Sequence, residues 1–511
     1  MRSRTSLGWL IGLLSAAVAL GVGELVAAFV RPAAAPVVAV GNRIIVLTPG
    51  SVKRPTIESV GTHDKVLLLG SIYLLIAVLG AAVGVLAMRN LRAGLVGTLL
   101  VGGFGAYCAL SANGARGSDV IPSVVATAAS AAVLAVLVRL AGGSARGVAA
   151  EGPLLPDRRT FLRGGVAAAA LAALAGFGGR AAQHARFDVA AARRKIKLPA
   201  VNGDSAVPAG ADLGQGSQRW ATPSSAFYRI DTALALPQID PTTWRLRIHG
   251  MVDKELTLTY DDVLARPMIE RWITLCCVSN EVGGGLVSNA LFRGIRLADV
   301  LREVGLKPGA DQLVLTSVDG YTFGAPTDVV MDGRDALLAV GMNGEPLPIE
   351  HGFPARTVVP GLYGYISACK WIVGIEATTY AARQAYWVQE GWSPEPPIQL
   401  ASRIDTPRSQ RVVPVGEPVA VAGVAWDQHV GVSKVEVQVD EGPWQRARLG
   451  RVPSTDTWRQ WVFAWTPPRS GQYRLRVRAT DAQGNAQSTQ VREPFPSGAT
   501  GLHSITVRAV V

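Results

Sequence analysis

Two of the four cysteines in this 511-residue chain stand side by side, in the stretch Thr274–Gly285, TLCCVSNEVGGG. An apolar run ends there and a polar, glycine-rich turn begins. A thiolate is a soft donor and suits a soft or redox-active metal ion. Neighbouring side chains on a strand point to opposite faces, so one sulfur would face a cleft and the other the interior. On residue type alone, a free cysteine in an apolar run is most often a small buried hydrophobe. Four cysteines, with Cys108 inside an apolar stretch, make no disulfide framework. No CxxC or HxxxH pair suggests a zinc site.

Such a sulfur needs elements to hold it, and the chain is long enough for several domains. Hydrophobic residues make up 49% and charged residues 17%, an apolar balance for a soluble protein. The apolarity is concentrated at the N-terminal end. Stretches at about 7–30, 66–88, 93–112 and 120–138 are long enough to cross a bilayer as helices, and 164–179 is shorter and mildly apolar. Region 1–180 is therefore expected to be an all-α transmembrane bundle. Residues 181–219 are Ala/Gly/Arg-rich without periodicity and read as a linker.

From 220 to 402 the texture is α+β, with short strands, glycine-rich loops and an amphipathic helix at Arg296–Val304. In 403–511, KVEVQVD puts Val435, Val437 and Val439 on one face, and YRLRVRATD alternates Tyr473, Leu475, Val477 and Ala479 with arginines. Turn signals between short strands predict an immunoglobulin-like β-sandwich. Trp426, Trp444, Trp458, Trp461 and Trp465 are expected in its core or at an interface.

Net charge is +12, but no basic stripe is interleaved with aromatics, so no nucleic-acid partner is expected. Arg2, Arg4, Arg89, Arg92, Arg139, Arg146, Arg158, Arg159 and Arg163 flank the inner helix ends, as for a cytoplasmic N-terminus. The loop 31–65, with five basic residues, runs against that pattern. Asp157–Gly165, DRRTFLRGG, resembles a twin-arginine export signal, here internal. That pathway carries folded proteins, often with a cofactor already inserted. The expectation is a multi-pass protein of the cell membrane with everything after Arg180 outside.

Four ordered motifs, TPSSAFYRIDTALALPQIDPTTWRLRIHG, TLCCVSNEVGGGLVSNALFRGIRLADVL, VDGYTFGAPTD and MNGEPLPIEHGFPARTVVPGLYGYISACKWI, resemble the sulfite oxidase family of molybdopterin enzymes. The sandwich at 403–511 is similar to that family's C-terminal dimerisation domain. The resemblance covers about 220–511; the N-terminal helices are not part of it. It implies molybdenum on a single molybdopterin (pyranopterin), with one protein thiolate. The family's Leu-x-Cys-x-x-Asn pattern falls on Leu275, Cys277 and Asn280, which makes Cys277 the metal ligand and catalytic residue and leaves Cys276 to the interior. The resemblance further implies that Arg356 and Lys370 hold phosphate and pterin, with His351 at a pterin position. Tyr228 and Arg229 fall on the N-terminal cofactor loop, Thr316 or Ser317 on a further contact, and Ala368 and Cys369 would lend backbone near the phosphate.

Three positions depart from sulfite oxidases. Asn280 is followed by Glu281-Val282 instead of arginines, Val340 stands where a tyrosine is expected, and Asp231-Thr232 where a histidine is. Fewer cations near the metal weaken binding of a small dianion. The expected activity is two-electron oxo transfer on a small molecule of the sulfoxide or N-oxide type. Sulfite oxidation proper and a catalytically silent adhesion or scaffold member are the alternatives. A transporter ranks last, because the spans show no matching broken helices. No haem motif follows residue 220 and no histidine lies in the expected spans, so a bis-histidine haem between the helices is not expected and the electron-transfer partner is unknown. Glu24 is a lone carboxylate in the first span. A homodimer through the C-terminal domain is also expected.

Overall fold

The computed structural model describes residues 2–48, 64–112, 114–142, 158–186, 188–201, 205–231, 233–234 and 236–511. The chain forms two compact units, Met1–Asp188 with Thr232–Pro237, and Val189–Asp231 with Gln238–Val511.

The first unit is helical: α1 Arg2–Phe29, α2 Pro36–Leu47, α3 Asp64–Arg89, α4 Leu91–Leu110, α5 Ile121–Gly142 and α6 Arg158–Arg186. Among the described residues, five of these six, all but α2, are long and apolar enough to cross a membrane. Helix α1 packs against α3, α5 and α6. Its Gly8 and Gly12 meet Gly80 and Gly84 of α3, and a Cβ on Gly12 would collide with the Gly80 carbonyl. Paired small residues four apart let two backbones touch where no water drives association. Asn90 separates α3 from α4 by one residue and caps α4, its Oδ1 accepting from the amides of Arg92 (3.0 Å) and Ala93 (3.4 Å). Arg31 pairs with buried Asp119. Glu24 faces Arg180 and hydrogen-bonds the Gln183 side chain, so it is partnered.

Two corrections concern these helices. The fifth stretch, expected over 164–179, is a helix over Arg158–Arg186, because its alanines and arginines favour helix beyond the apolar segment. The loop 31–65 contains α2, whose twelve residues are too few for a span. Asp157 and Arg146, part of the export-signal and topology expectations, lie outside the described residues.

The second unit opens with α7, Val189–Lys195. The expected linker 181–219 is thus partly helical, and both α7 and the stretch beyond it are pinned to the fold. Arg193 bonds the Pro346 and Leu347 carbonyls and pairs with Glu345 at 2.8 Å, and Leu213 N donates to Gln460 Oε1 at 2.5 Å. Alanine and arginine carry little hydrophobic periodicity but high helix propensity, so the pattern conceals the structure.

Ten strands follow: β1 Arg245–Gly250, β2 Leu256–Thr259, β3 Ile269–Cys276, β4 Val287–Arg296, β5 Gln312–Ser317, β6 Thr322–Pro326, β7 Leu337–Met342, β8 Glu345–Pro346, β9 Arg356–Val358 and β10 Ile372–Thr378. One sheet runs β2-β1-β10-β5-β6, with β1 and β10 parallel. A second runs β3-β4-β7-β8, with β9 on β7. The amphipathic helix, Leu297–Val304, buries Leu297, Val300, Leu301 and Val304 and stops at Gly305 with φ 68°. Its apolar residues recur at helical spacing and face the core shared with β1, β5 and β10.

The C-terminal part is a sandwich of a four-stranded and a five-stranded sheet. Val435, Val437, Leu475, Val477 and Ala479 fill its core with Trp461 and Trp465. Trp426 and Trp458 lie instead in a seam with Trp220, Cys276 and Tyr363. Trp444 is half-buried beneath the Arg478 guanidinium, 4.3 Å from its ring centre.

Candidate active site

Strand β3 delivers the cysteine pair. It pairs with β4 from Ile269 opposite Gly294 to Cys276 opposite Val287. Beyond Cys276 the chain turns. Cys277 N donates to Leu286 O (2.9 Å), Asn280 N to Cys277 O (3.0 Å), and Leu286 N to Asn280 Oδ1 (2.7 Å). Asn280 is 7% exposed and closes this turn from inside. Gly283, at φ 80°, packs against the His503 ring where a side chain would clash.

The two thiols, one at the end of β3 and one just past it, differ in their surroundings. Cys276 packs with Trp220, Val278 and Tyr363, and burial pushes its pKa well up. Burial raises Cys277 as well, but the Ser279 amide and hydroxyl hydrogen-bond its sulfur and Lys370 adds positive potential. Donors favour the thiolate, and of the two sulfurs only that of Cys277 has the Ser279 donors beside it.

The cations come from the segment 349–371. Gly352 has φ 108°, and a Cβ there would press on Arg356 and Lys370 at 3.1 Å. Its absence lets those two residues pair as an isolated bridge. Arg356 is 4% exposed, and among the described residues no carboxylate pairs with it. Its guanidinium makes long contacts to carbonyls of Thr357 (3.4 Å), His351 (3.3 Å) and Ala368 (3.4 Å) and lies 5.8 Å from the Phe292 ring centre. Burial lowers its pKa to about 10. Lys370 Nζ bonds Asp231 Oδ2 at 3.1 Å and Glu350 O at 3.3 Å, and burial lowers its pKa to about 8, Asp231 opposing the shift.

His351 is 3% exposed, with Nε2 at 2.9 Å from Ser224 O. A carbonyl only accepts, so Nε2 carries the proton and Nδ1 is left as acceptor. Burial, then Arg356, lowers its pKa to about 4 and keeps the ring neutral. Tyr228 is half-buried; burial first, then the Cys277 thiol, holds its hydroxyl pKa well up. Arg229 Nε pairs with Asp231 Oδ2 at 2.9 Å.

Cys277, Tyr228, His351, Arg356 and Lys370 therefore gather in one neighbourhood. Thr316 and Ser317 end β5 opposite Gly374 and Ile372, just beyond Lys370. Of the other two expected residues, the Ala368 amide donates to Gly364 O (3.0 Å) and the Cys369 amide to Thr357 Oγ1 (3.0 Å). Glu281 is exposed, whereas Val340 is wholly buried in the core. Sequence reasoning missed Asp231 as a partner of Lys370, Ser279 as a donor to Cys277, and half-buried Asp319, whose carboxyl pKa is raised by desolvation. VDGY around Asp319 signals only a turn. The cluster carries more cationic than anionic side chains and one equipped thiol, which fits an anionic group that brings a soft metal.

Comparison with known proteins agrees. Residues 233–387 match the model of the oxidoreductase molybdopterin binding domain, and 401–507 that of a bacterial Ig domain. Fold and site thus define a molybdopterin-binding oxidoreductase class with an immunoglobulin-like C-terminal domain. The chain belongs to the sulfite oxidase family. It is 32% identical over 323 residues to human mitochondrial sulfite oxidase, covering 54% of this chain and 58% of that one. Chicken sulfite oxidase is 30% identical over 323 residues, covering 54% of this chain and 70% of that one. The oxidoreductase YuiH of Bacillus subtilis is 36% identical over 153 residues, 30% of this chain and 74% of that protein. The chain spans less than two thirds of the length of the mammalian relatives, 58% for the human enzyme.

Proposed function

We propose that this protein catalyses two-electron oxo transfer on a small molecule at a molybdenum ligated by Cys277. The observation that carries the reading is the Cys277 thiol, supplied with Ser279 donors, beside a buried Arg356 that has no carboxylate partner among the described residues. No three His, Cys, Asp or Glu side chains among the described residues form a metal site by themselves. A metal here would bring other donors, as a single pyranopterin dithiolene does. When bound, that group supplies the two-electron couple and exchanges one oxygen atom with the substrate.

The chain's own residues bind and orient it. Arg356 and Lys370 would offset its phosphate charge, Tyr228 and Arg229 would close the pocket's entry loop, and the neutral His351 would accept a pterin N–H at Nδ1. Thr316 and Ser317 would lie near the same group. The favoured substrate is a neutral oxide, such as a sulfoxide. Asp231 already offsets Lys370, and Glu281 adds negative charge just after the thiol, which disfavours a small dianion. The relatives' names keep sulfite oxidation as the second reading.

The five long apolar helices support a multi-pass membrane anchor; its place in the cell membrane, with the catalytic domain outside, is part of the same proposal. Arg158–Leu162, at the head of α6, supports export of the folded, loaded domain. An unidentified electron-transfer partner and pairing of copies through the C-terminal domain belong to it as well.

The test is turnover by metal-loaded protein with methionine sulfoxide and a reduced dye, against sulfite and an oxidised dye. Brisk sulfite oxidation with no sulfoxide reduction would overturn the substrate reading. A Cys277→Ala protein that keeps molybdenum and activity would overturn the site.

A further inference from the structure

In its sheet β3 is an edge strand, and its outer side is covered by the immunoglobulin-like domain. The cover converges on Thr274, three residues before Cys277 and 1% exposed. All four polar functions of Thr274 are engaged. Its amide donates to Asp456 O at 2.9 Å, and its carbonyl accepts from Gln428 Nε2 at 2.9 Å. Its hydroxyl donates to Asn289 Oδ1 at 3.0 Å and accepts from Trp458 N at 2.7 Å. Three of these partners belong to the C-terminal domain and one to β4. Gln428 and Trp458 are buried in turn, and Asn289 Nδ2 is tied to Trp220 O at 3.1 Å.

An edge strand ordinarily leaves its outward N–H and C=O groups to water. Here two sandwich loops stand in for the missing neighbour strand. Every polar group of Thr274 itself is met, and buried hydrogen bonds made in full hold the group they bind in place. Only Leu275 and Cys276 separate this clamp from Cys277, too short a path to absorb a shift without moving the sulfur.

We propose that Thr274 is a positioning residue, through which the immunoglobulin-like domain sets the end of β3 and with it the direction of the Cys277 sulfur. The inference rests on the reading of Cys277 as the metal-facing thiol. Plain interdomain adhesion would change the melting temperature and leave the chemistry of Cys277 untouched.

The experiment uses the full-length protein, made with and without molybdate. The variants are Thr274→Val, Thr274→Ser and Gln428→Leu, with Cys277→Ala as reference. In metal-free protein, alkylation of Cys277 by iodoacetamide is followed by peptide mass spectrometry. Gln428→Leu removes one buried hydrogen bond and Thr274→Val both bonds of the hydroxyl. One such bond shifts a local opening equilibrium by about tenfold, so each variant should react at least about tenfold faster. Thr274→Ser should keep the wild-type rate. In loaded protein, Thr274→Val should also shift the visible sulfur-to-metal absorption. Wild-type alkylation rates in both Thr274→Val and Gln428→Leu would overturn the proposal, as would a Thr274→Ser protein reacting as fast as Thr274→Val. Should Thr274→Val fail to fold, Gln428→Leu decides alone. A Cys277→Ala protein that retains metal and its visible band would sink the ligand reading, while the metal-free alkylation rates would still report on the clamp.

Discussion

Lys370 Nζ lies 3.1 Å from Asp231 Oδ2, joining segments 139 positions apart in the chain. That carboxylate also receives Arg229 at 2.9 Å. One anion thus serves two cations, while Arg356 beside them has no carboxylate partner among the described residues. The surplus positive charge is the electrostatic reason to expect an anionic group in this neighbourhood.

The cysteine pair should separate cleanly. Cys277→Ser is expected to lose bound molybdenum and to cut oxo-transfer activity by more than about 100-fold, since first ligands matter at least as much as their supporting partners. Cys276→Ala should keep the metal and lose about 1 kcal/mol of stability to a small cavity. Metal content per chain and thermal melting distinguish the two.

Arg356→Met should move stability and binding in opposite directions. Burial lowers the Arg356 pKa from its ordinary value to about 10. That depression corresponds to roughly 3 kcal/mol of native-state cost as an upper bound. The metal-free Arg356→Met protein is expected to melt higher than wild type, while pterin content, read by fluorescence of the oxidised pterin, falls. A lower melting point for the metal-free variant would contradict the uncompensated charge.

His351 makes the metal-free protein sensitive to acid. Its folded pKa, about 4, lies below the ordinary 6.5, so the unfolded chain binds the proton more readily. The stability due to the neutral ring is present above pH 6.5 and is lost as pH falls toward 4, by as much as roughly 3 kcal/mol. A His351→Gln protein should show a shallower fall in melting temperature across that window. Parallel curves for variant and wild type would refute the assignment.

In the helical unit, Gly84→Val should disrupt the contact between α1 and α3. A Cβ at Gly84 would strike the Gly8 carbonyl and crowd Gly12. The expected loss is about 1–3 kcal/mol, the usual cost of overpacking. Gly103→Val, where an added Cβ meets nothing within 4 Å, should be close to neutral. Melting of the detergent-solubilised protein compares them.

Several features were legible in the sequence because each is written in a local period or length. The apolar runs announce α1, α3, α4 and α5, the alternation of Val435, Val437 and Val439 announces a sandwich strand, and the spacing in RLADVLREV announces the helix Leu297–Val304. The apolar run that stops at the cysteine pair also announces the end of β3, at Cys276, with Cys277 just past it. Other features have no local period. Helix α2 is too short to register as a span, and the Ala/Arg run that forms α7 has no apolar stripe to read.

Only the tertiary structure decides which groups are free and which are taken. The Cys369 amide is claimed by Thr357, Lys370 finds Asp231, and Thr274 meets Gln428 and Trp458 across 154 and 184 positions. Such pairings depend on where distant segments return in space, and a buried polar group takes whichever partner the packing brings within reach. The sequence by itself determined the elements and the cysteine at the strand end. Packing decided the charge balance around that cysteine and the clamp behind it.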